Sequence, residues 1–293
     1  MDRVKVPKSS VTISRLGFGC ARLVGGRELR SSARLIETAI NCGIRHFDTA
    51  PAYGSEDVLG EVLANARDIT IATKIGLPRS NVKGSAAKSV FGSLYRSSLR
   101  PLLGRVPAVK SRLLRLASTP ALMTASIVKR QLHRDGVLRD LDESLRLLRR
   151  TQIDLYLLHE PEGFEITDEL REAFLSLQKD GIIGAFGLAF GGLPTEVGSF
   201  GTVEQCRFPG DSLAVPLCDK IRIYHGVVRF GLQDRTRSRT HLSAGKLIAQ
   251  ALEKDPGSAV IFSASSAHQI RQISKHLSQC SEALEWDRDR GRL

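Results

Sequence analysis

The sequence has few cysteines and few aromatic residues, and it contains no long apolar run. Its five cysteines form no CxxC pair and no spacing typical of zinc ligands, so we expect no bound metal. An odd, unpatterned set of cysteines is typical of a reducing compartment, which predicts a cytoplasmic protein. No run of about 18 apolar residues could span a membrane. The first ten residues, MDRVKVPKSS, lack the apolar core of a secretory signal.

Positive charge is present in excess, and it is concentrated in one segment. The formal net charge is +12. Residues 79–139 hold 13 lysines and arginines but one acidic residue, Asp135, whereas the rest of the chain is balanced. Aromatic residues make up only 5% of the chain and no DNA- or RNA-binding motif occurs, so we expect no nucleic acid partner.

Short β-branched runs alternate with amphipathic helical patterns along the chain, which indicates βαβ units and a parallel sheet. Helices are expected over 32–42, 55–66, 139–150 and 168–180. Candidate strands cover 16–19, 44–49, 69–74, 153–159, 183–188, 202–206, 221–225 and 259–263. Eight strands favour a closed (β/α)8 TIM barrel, within a single domain over 1–293, and an open doubly wound sheet is the alternative.

Three of these strands end in side chains with acid–base chemistry. Asp48, Lys74 and His159 lie at strand ends that meet on one rim of a parallel barrel, and Tyr53 follows Asp48 by five residues. An ammonium beside a phenol lowers the phenol's pKa, an aspartate can hold that ammonium, and a neutral histidine can orient a carbonyl oxygen. Each residue alone is more often structural, but the set together suits proton transfer to or from a carbonyl oxygen.

The basic insert, residues 79–139, follows the strand that ends at Lys74. It contains an apolar helical stripe, which must be buried against another surface. We favour a lid over the substrate site, since the insert leaves the barrel at the catalytic rim. A helix bound peripherally to an anionic membrane and docking to an acidic partner protein are the alternatives.

Five stretches of the chain resemble the aldo-keto reductases. Their motifs look similar to those of bacterial members, which include aldose and pyridoxal dehydrogenases. They are LGFGCARLVGG (16–26), GIRHFDTAPAYGSEDVLGEVL (43–63), ITIATKIG (69–76), LRDLDESLRLLRRTQIDLYLLHEPE (138–162) and LQKDGIIGAFGLA (177–189). The resemblance implies an NAD(P)-dependent oxidoreductase of the alcohol dehydrogenase type, acting on a small carbonyl or alcohol substrate. It also implies that the catalytic tetrad comprises Asp48, Tyr53, Lys74 and His159.

The same resemblance implies a set of cofactor contacts. Gly19 and Cys20 correspond to a first loop whose backbone approaches the cofactor, and Gln205 corresponds to a glutamine that supports the nicotinamide. Tyr224 corresponds to an aromatic residue that stacks on the nicotinamide ring, with the adjacent His225 as an alternative.

Two departures from the family pattern concern the cofactor. Ala189 and Phe190 stand where the family usually has Ser-Asn against the carboxamide. Ser263, Ser265 and Gln269 fall in the stretch where the family commonly places a lysine or arginine, with serine, against a 2′-phosphate. The choice between NADP and NAD therefore stays open. The departures also leave a second function open, a binding scaffold of the same family that has lost redox turnover.

Overall fold

The structure is a computed structural model that describes residues 1–80, 132–161, 166–194, 199–210, 219–229 and 243–290, with side chains described as far as residue 278. Most of the predicted basic insert, residues 81–131, lies outside the described residues. The lid, membrane and partner interpretations of that segment therefore stay predictions.

Eight parallel strands close into a barrel. In chain order they are β3 (Leu16–Gly19), β4 (His46–Asp48), β5 (Thr70–Ile75), β6 (Ile153–His159), β7 (Ile183–Ala189), β8 (Val203–Arg207), β9 (Ile221–His225) and β10 (Ala259–Phe262). Each strand pairs with the next, and β10 pairs with β3 to complete the ring. This closure confirms the predicted (β/α)8 class and excludes the open doubly wound sheet.

Helices surround the strands in the order that the sequence predicts. The described helices longer than one turn are α1 (Leu29–Asn41), α2 (Glu56–Leu63), α3 (Arg134–Leu148), α4 (Asp168–Lys179), α5 (Ala244–Lys254) and α6 (Ala267–Arg290). The third begins five residues before its predicted start at Arg139. Val137 is fully buried beside Leu141, so the apolar stripe already runs through the first turns of α3. Residues 134–139 of those turns belong to the predicted basic insert, so the last residues of that insert are helical.

The core has two layers because side chains on a strand alternate between its two faces. Inside the barrel, aliphatic side chains form one buried cluster that includes Ala72, Leu155, Leu157, Ala185, Ala189, Val203, Ile221, Ile223, Ala259 and Ile261. Between strands and helices, a second cluster holds larger side chains such as Phe18, Phe47, Tyr156, Phe174 and Tyr224. The strand ends are thereby fixed by packing on both faces.

An antiparallel hairpin, β1 (Arg3–Lys5) and β2 (Thr12–Ser14), was not predicted. Val6, Val11 and Ile13 extend from it into the interior cluster and are almost fully buried. Its alternating apolar and polar residues on either side of a Pro-Lys-Ser-Ser turn are a hairpin pattern.

Helix α2 packs closely against α3, and a glycine makes that approach possible. A Cβ on Gly60 would clash with the carbonyl oxygen of Leu147. The contact fixes α2, whose first residues follow the turn that carries Tyr53.

Candidate active site

Four side chains converge at the carboxyl-terminal rim of the barrel. Asp48 ends β4, Lys74 is the penultimate residue of β5, and His159 ends β6. These three strands are direct neighbours in the sheet. Tyr53 ends a one-turn 3-10 helix that follows β4, and Gly54 closes that turn with a left-handed φ of 66°. The structure therefore brings together the four residues that the sequence groups.

Lys74 and Asp48 form a buried ion pair. The Lys74 ammonium donates to Asp48 Oδ1 at 2.6 Å and to the carbonyl oxygen of Thr49 at 2.9 Å. Only 1% of the Lys74 side chain and 6% of the Asp48 side chain are exposed. A buried charge is costly unless it is paired and hydrogen-bonded, so each group requires the other. The ammonium is consequently held at a fixed place on the rim.

The Tyr53 ring is close to both this ammonium and His159. Lys74 Nζ is 5.1 Å from the centre of the Tyr53 ring. The Tyr53 and His159 rings contact each other edge to face, with centroids 5.7 Å apart and planes at 90°. A phenol, an ammonium and an imidazole are thus immediate neighbours at the open end of the barrel.

His159 is a neutral group at physiological pH. Burial lowers its pKa well below the ordinary value of 6.5, and the positive charge of Lys74 and the nearby His225 lower it further. A neutral imidazole carries one N–H donor and one acceptor nitrogen. It can therefore donate a hydrogen bond to an oxygen atom without carrying a charge into the site.

His225 is a second neutral imidazole at the same rim. It ends β9, and Ile221 and Ile223 of that strand belong to the interior cluster, so strand alternation turns His225 inward as well. Its pKa is lowered chiefly by burial. His225 Nε2 lies 2.8 Å from the carbonyl oxygen of Phe190. Because a carbonyl only accepts, Nε2 carries the proton and Nδ1 is the acceptor of the neutral ring.

Tyr224 lies apart from these residues. The prediction that it stacks on a nicotinamide ring is therefore wrong. The Tyr224 hydroxyl donates to Asp255 Oδ2 at 2.9 Å, and its ring packs edge to face on Phe208. The residue is 1% exposed and belongs to the outer core cluster. The alternation of β9 therefore places Tyr224 behind the strand and His225 in front of it.

Gly19 and Cys20 line the start of the first loop. A Cβ on Gly19 would lie 2.7 Å from Ser263 Oγ, so only glycine permits the observed hydrogen bond from that hydroxyl to the Gly19 carbonyl oxygen, 2.9 Å long. The Cys20 side chain is fully buried, and its backbone N–H donates to the carbonyl oxygen of Asp48 at 2.8 Å. Burial raises the pKa of the Cys20 thiol well above its usual range.

Ser263, Ser265 and Gln269 lie where β10 gives way to α6, and all three are exposed. Gln269 Oε1 accepts from the Ser265 backbone N–H at 2.9 Å and lies 3.2 Å from Ser265 Oγ. Ser266 Oγ accepts from the Gln269 backbone N–H at 3.3 Å, which caps the helix. This helix start is polar but carries no lysine or arginine between 263 and 269.

The sequence model of the Aldo/keto reductase family matches residues 15–193, which is more than half of the chain. The chain is a member of the aldo/keto reductase family. The NADPH-dependent codeinone reductase 1-3 of Papaver somniferum is 29% identical over 213 residues, which cover 72% of this chain and 48% of that protein. The uncharacterized oxidoreductase YqkF of Bacillus subtilis is 26% identical over 193 residues, covering 64% and 49%. The chain thus spans about half the length of these curated relatives.

Solved structures of aldo-keto reductases share the fold of the described barrel. The holo form of AKR11C1 from Bacillus halodurans superposes with a TM-score of 0.64 at 21% identity, covering 94% of this chain and 91% of that one. The glycerol dehydrogenase AKR11B4 from Gluconobacter oxydans gives a TM-score of 0.65 at 18% identity, covering 93% and 89%. At these identities the likeness concerns the fold alone.

One unsatisfied group tests whether this aldo/keto reductase barrel fits a nicotinamide. Gln205 is 4% exposed, and its Oε1 is buried with no hydrogen-bond partner among the described residues. Val203, two residues earlier on β8, points into the barrel, so Gln205 does too. An unsatisfied buried acceptor costs about 1–3 kcal/mol. The amide N–H2 of a nicotinamide carboxamide is the kind of donor it requires, so the residues present fit the group.

The family's usual Ser-Asn pair is absent from this part of the barrel. Ala189 and Phe190 carry no hydrogen-bonding side-chain groups, and both are buried. The Phe190 carbonyl oxygen is the acceptor for His225. His225 is only the alternative to Tyr224 in the family comparison of the sequence, although Ile221 and Ile223 show which face of the strand His225 shares.

The described residues contain neither a membrane-spanning helix nor a metal-binding cluster. No helix among them is long and apolar enough to cross a membrane. Within the same part of the chain, no group of three or more His, Cys, Asp or Glu residues is placed to hold a metal ion.

Proposed function

We propose that the protein transfers a hydride between NADP or NAD and the carbonyl or alcohol group of a small aldehyde, ketone or sugar. Membership of an oxidoreductase family supports the reaction class. The observation that carries the proposal is the cluster of Tyr53, Lys74 and His159, in which a fixed ammonium and a neutral imidazole flank a phenol. We include the whole chain, residues 1–293, in one barrel domain with the insert at 79–139.

In the reductive direction, Tyr53 is the proposed general acid. Its hydroxyl gives a proton to the carbonyl oxygen, and the Lys74 ammonium stabilises the phenolate that remains. In the oxidative direction, the phenolate removes the proton from the alcohol oxygen. General acid–base catalysis by a positioned side chain typically contributes about 10²–10⁴-fold. Asp48 acts through Lys74, because it holds the ammonium in place.

His159 is the proposed substrate-orienting residue. Its neutral ring can donate a hydrogen bond to the substrate oxygen while Tyr53 transfers the proton. A charged imidazolium at this place would compete with Tyr53 as the acid. The depressed pKa of His159 keeps the two roles separate across neutral pH.

Several residues would hold the cofactor. Gln205 Oε1 would accept from the carboxamide, and His225 would line the space beside the nicotinamide. The backbone of Gly19 and Cys20 would border the cofactor, and the polar residues of the α6 start, Ser263, Ser265 and Gln269, would face its adenosine phosphate end. When bound, a nicotinamide cofactor would donate or accept the hydride. Since no lysine or arginine lies among 263–269, we expect weak discrimination between NADP and NAD.

A second candidate function is a binding scaffold without turnover. The observation in its favour is the pair Ala189 and Phe190, whose side chains give a carboxamide nothing to hydrogen-bond. A protein of this kind would retain the four rim residues but bind neither cofactor tightly enough for turnover.

A reductase and dehydrogenase substrate panel with both cofactors tests the proposal. Aldehydes, ketones, sugars and polyols would be assayed with NADPH, NADH, NADP and NAD, and with Tyr53→Phe as the matched variant. Phe keeps the ring and removes the hydroxyl. We expect turnover by the wild type and at least a hundredfold loss of kcat in the variant. Fluorescence titration should give the same cofactor Kd for both proteins. A near-normal rate in Tyr53→Phe would assign the proton to another group. Failure of wild type to bind either cofactor at high micromolar concentration would favour the scaffold.

A further inference from the structure

A buried carboxylate outside the four rim residues links the segment that carries Tyr53 to the strand that carries Lys74. Glu56 is the first residue of α2 and lies three residues after Tyr53, with only 2% of its side chain exposed. Glu56 Oε1 accepts from Thr73 Oγ1 at 2.7 Å, and Oε2 accepts from Arg79 Nη1. Both carboxylate oxygens are therefore hydrogen-bonded, one to β5 and one to the segment that follows β5.

Arg79 extends this link to a third element. Its Nη2 lies 3.2 Å from Ser144 Oγ and 3.4 Å from the carbonyl oxygen of Asp140, both on α3. The next residue, Ser80, donates its backbone N–H to the carbonyl oxygen of Pro51 at 3.0 Å. The segment after β5 is thus tied to α3 on one side and to the turn that carries Tyr53 on the other.

A hydrogen bond within the β4–α2 connection lies closer to the ion pair. Thr49 Oγ1 and Ser55 Oγ are 2.8 Å apart, and the Ser55 side chain makes no capping hydrogen bond to α2. The Thr49 carbonyl oxygen is also one of the two acceptors for the Lys74 ammonium. The connection that carries Tyr53 is therefore joined to β5 at two places, through Thr49 to Lys74 and through Glu56 to Thr73.

Thr73 and Lys74 are adjacent on β5 and point to opposite faces, as residues in a strand do. Thr73 points out to Glu56, and Lys74 points in to Asp48. Fixing Thr73 therefore fixes the register of Lys74. We propose that Glu56 is a positioning residue that holds the Tyr53 turn and β5 together, so that the Lys74 ammonium stays beside the Tyr53 ring.

The proposal rests on the proposed function for its catalytic meaning but not for its physical content. Among the described residues, Lys74 Nζ lies 5.1 Å from the centre of the Tyr53 ring, and the His159 ring contacts Tyr53 edge to face. Asp48 pairs with Lys74, and Glu56 lies three residues after Tyr53 on the same segment. If the Tyr53 turn moves away from Lys74, the phenolate loses the stabilising charge of that ammonium and the measured pKa of Tyr53 rises. If Glu56 has only a structural role, its loss lowers stability and leaves that pKa where it is.

The test is a titration of the tyrosines by NMR with ¹³Cζ-labelled tyrosine, without substrate or cofactor. The chain has four tyrosines, and Tyr53→Phe assigns the signal of Tyr53 by its disappearance. Two variants that conserve charge weaken the link: Glu56→Asp, which is one methylene too short to reach both partners, and Thr73→Val, which removes one hydrogen bond. Neither changes the charge near Tyr53, so direct electrostatics contributes no shift of its own.

Asp154→Asn is the matched control. Asp154 Oδ2 accepts from the backbone N–H of Ile71 at 2.8 Å, so it too is a carboxylate bound to β5, but at the amino-terminal end of β6. We expect this variant to lower Tm and to leave the Tyr53 titration unchanged.

We expect Glu56→Asp to raise the measured pKa of Tyr53 by about half a unit or more, with a smaller rise in Thr73→Val. Under turnover, kcat of Glu56→Asp should fall about tenfold while the cofactor Kd stays within twofold. An unchanged or lowered Tyr53 pKa in both variants overturns the proposal. If Glu56→Asp does not fold, Thr73→Val alone decides by the same criterion. A shifted pKa in a protein that turns over no substrate would sustain the positioning role and refute the proposed function.

Discussion

Removal of the buried Lys74 ammonium should destabilise the fold in a way that depends on pH. At the observed separation of 2.6 Å between Lys74 Nζ and Asp48 Oδ1, the gross Coulomb attraction is about 6 kcal/mol at an effective dielectric constant of about 20. That gross value is offset by the desolvation of both ions, so it is not the net stability of the pair. The consequence of breaking the pair depends instead on what the remaining carboxyl does.

In Lys74→Met the remaining carboxyl would take up a proton. Protonating a carboxyl at pH 7, against an ordinary aspartate pKa of about 3.9, costs about 4 kcal/mol, and at pH 5 only about 1.5 kcal/mol. The unfolded chain stays ionised in this range while the folded variant is neutral. The variant's deficit in stability is therefore small at low pH and grows as pH rises. Asp48→Asn/Lys74→Met removes both charges of the pair and should recover most of the loss.

Urea unfolding at pH 7 and pH 5 measures this directly. The control is Lys8→Met, which breaks a surface pair whose side chains are 67% and 73% exposed, and which should change stability by no more than about 0.5 kcal/mol. The reasoning is refuted if Lys74→Met costs less than about 1 kcal/mol at pH 7, if its cost is the same at both pH values, or if the double variant is no more stable than the single one.

Three further predictions follow from the same structure. His46 is fully buried, and burial lowers its pKa to about 4. As pH falls, the unfolded chain therefore protonates His46 before the folded protein does, and the free energy of unfolding decreases below about pH 6.5. His46→Gln should flatten that slope by about 1.4 kcal/mol per pH unit in urea titrations at pH 4–6.5, and an unchanged slope would contradict the assignment. His225→Phe should weaken cofactor binding about tenfold by fluorescence titration, whereas Tyr224→Phe should leave the Kd within twofold while losing about 1–2 kcal/mol of stability; equal effects on Kd would reject the inward placement of His225. Dissociation constants for NADP and NAD should differ by less than a hundredfold, about 2.7 kcal/mol, and a larger preference for NADP would show that basic residues outside 263–269 bind the 2′-phosphate.

The strands were predictable because their signal is local. Residues 16–19, 153–159 and 221–225 form strands with the predicted bounds, since each is a short apolar or β-branched run between polar turns. The rim residues were predictable for the same reason, because a parallel barrel sends all strand ends to one face. The direction of Tyr224 was also in the sequence, as Ile221 and Ile223 fix the phase of alternation in β9.

The remaining features depend on contacts that no local pattern shows. Glu56 and Arg79 are 23 residues apart and meet only because α2 packs beside β5. That Gln205 Oε1 finds no hydrogen-bond partner among the described residues is evident only when its neighbours in space are known. Sequence periodicity indicates which face of an element is buried, but it does not indicate which polar groups meet behind that face.

Transfer of a deuteride from a labelled cofactor to the substrate shows most directly whether this barrel transfers a hydride. Wild-type protein would be incubated with a carbonyl substrate from the panel and with NADPH or NADH deuterated at C4, on each face in turn, and the alcohol product analysed by mass spectrometry. We predict that the label on one of the two faces of C4, and not on the other, places one deuterium on the carbinol carbon of the product. Labelling should be at least a hundredfold slower with Tyr53→Phe. An alcohol product that carries no deuterium from either face would contradict hydride transfer by this barrel.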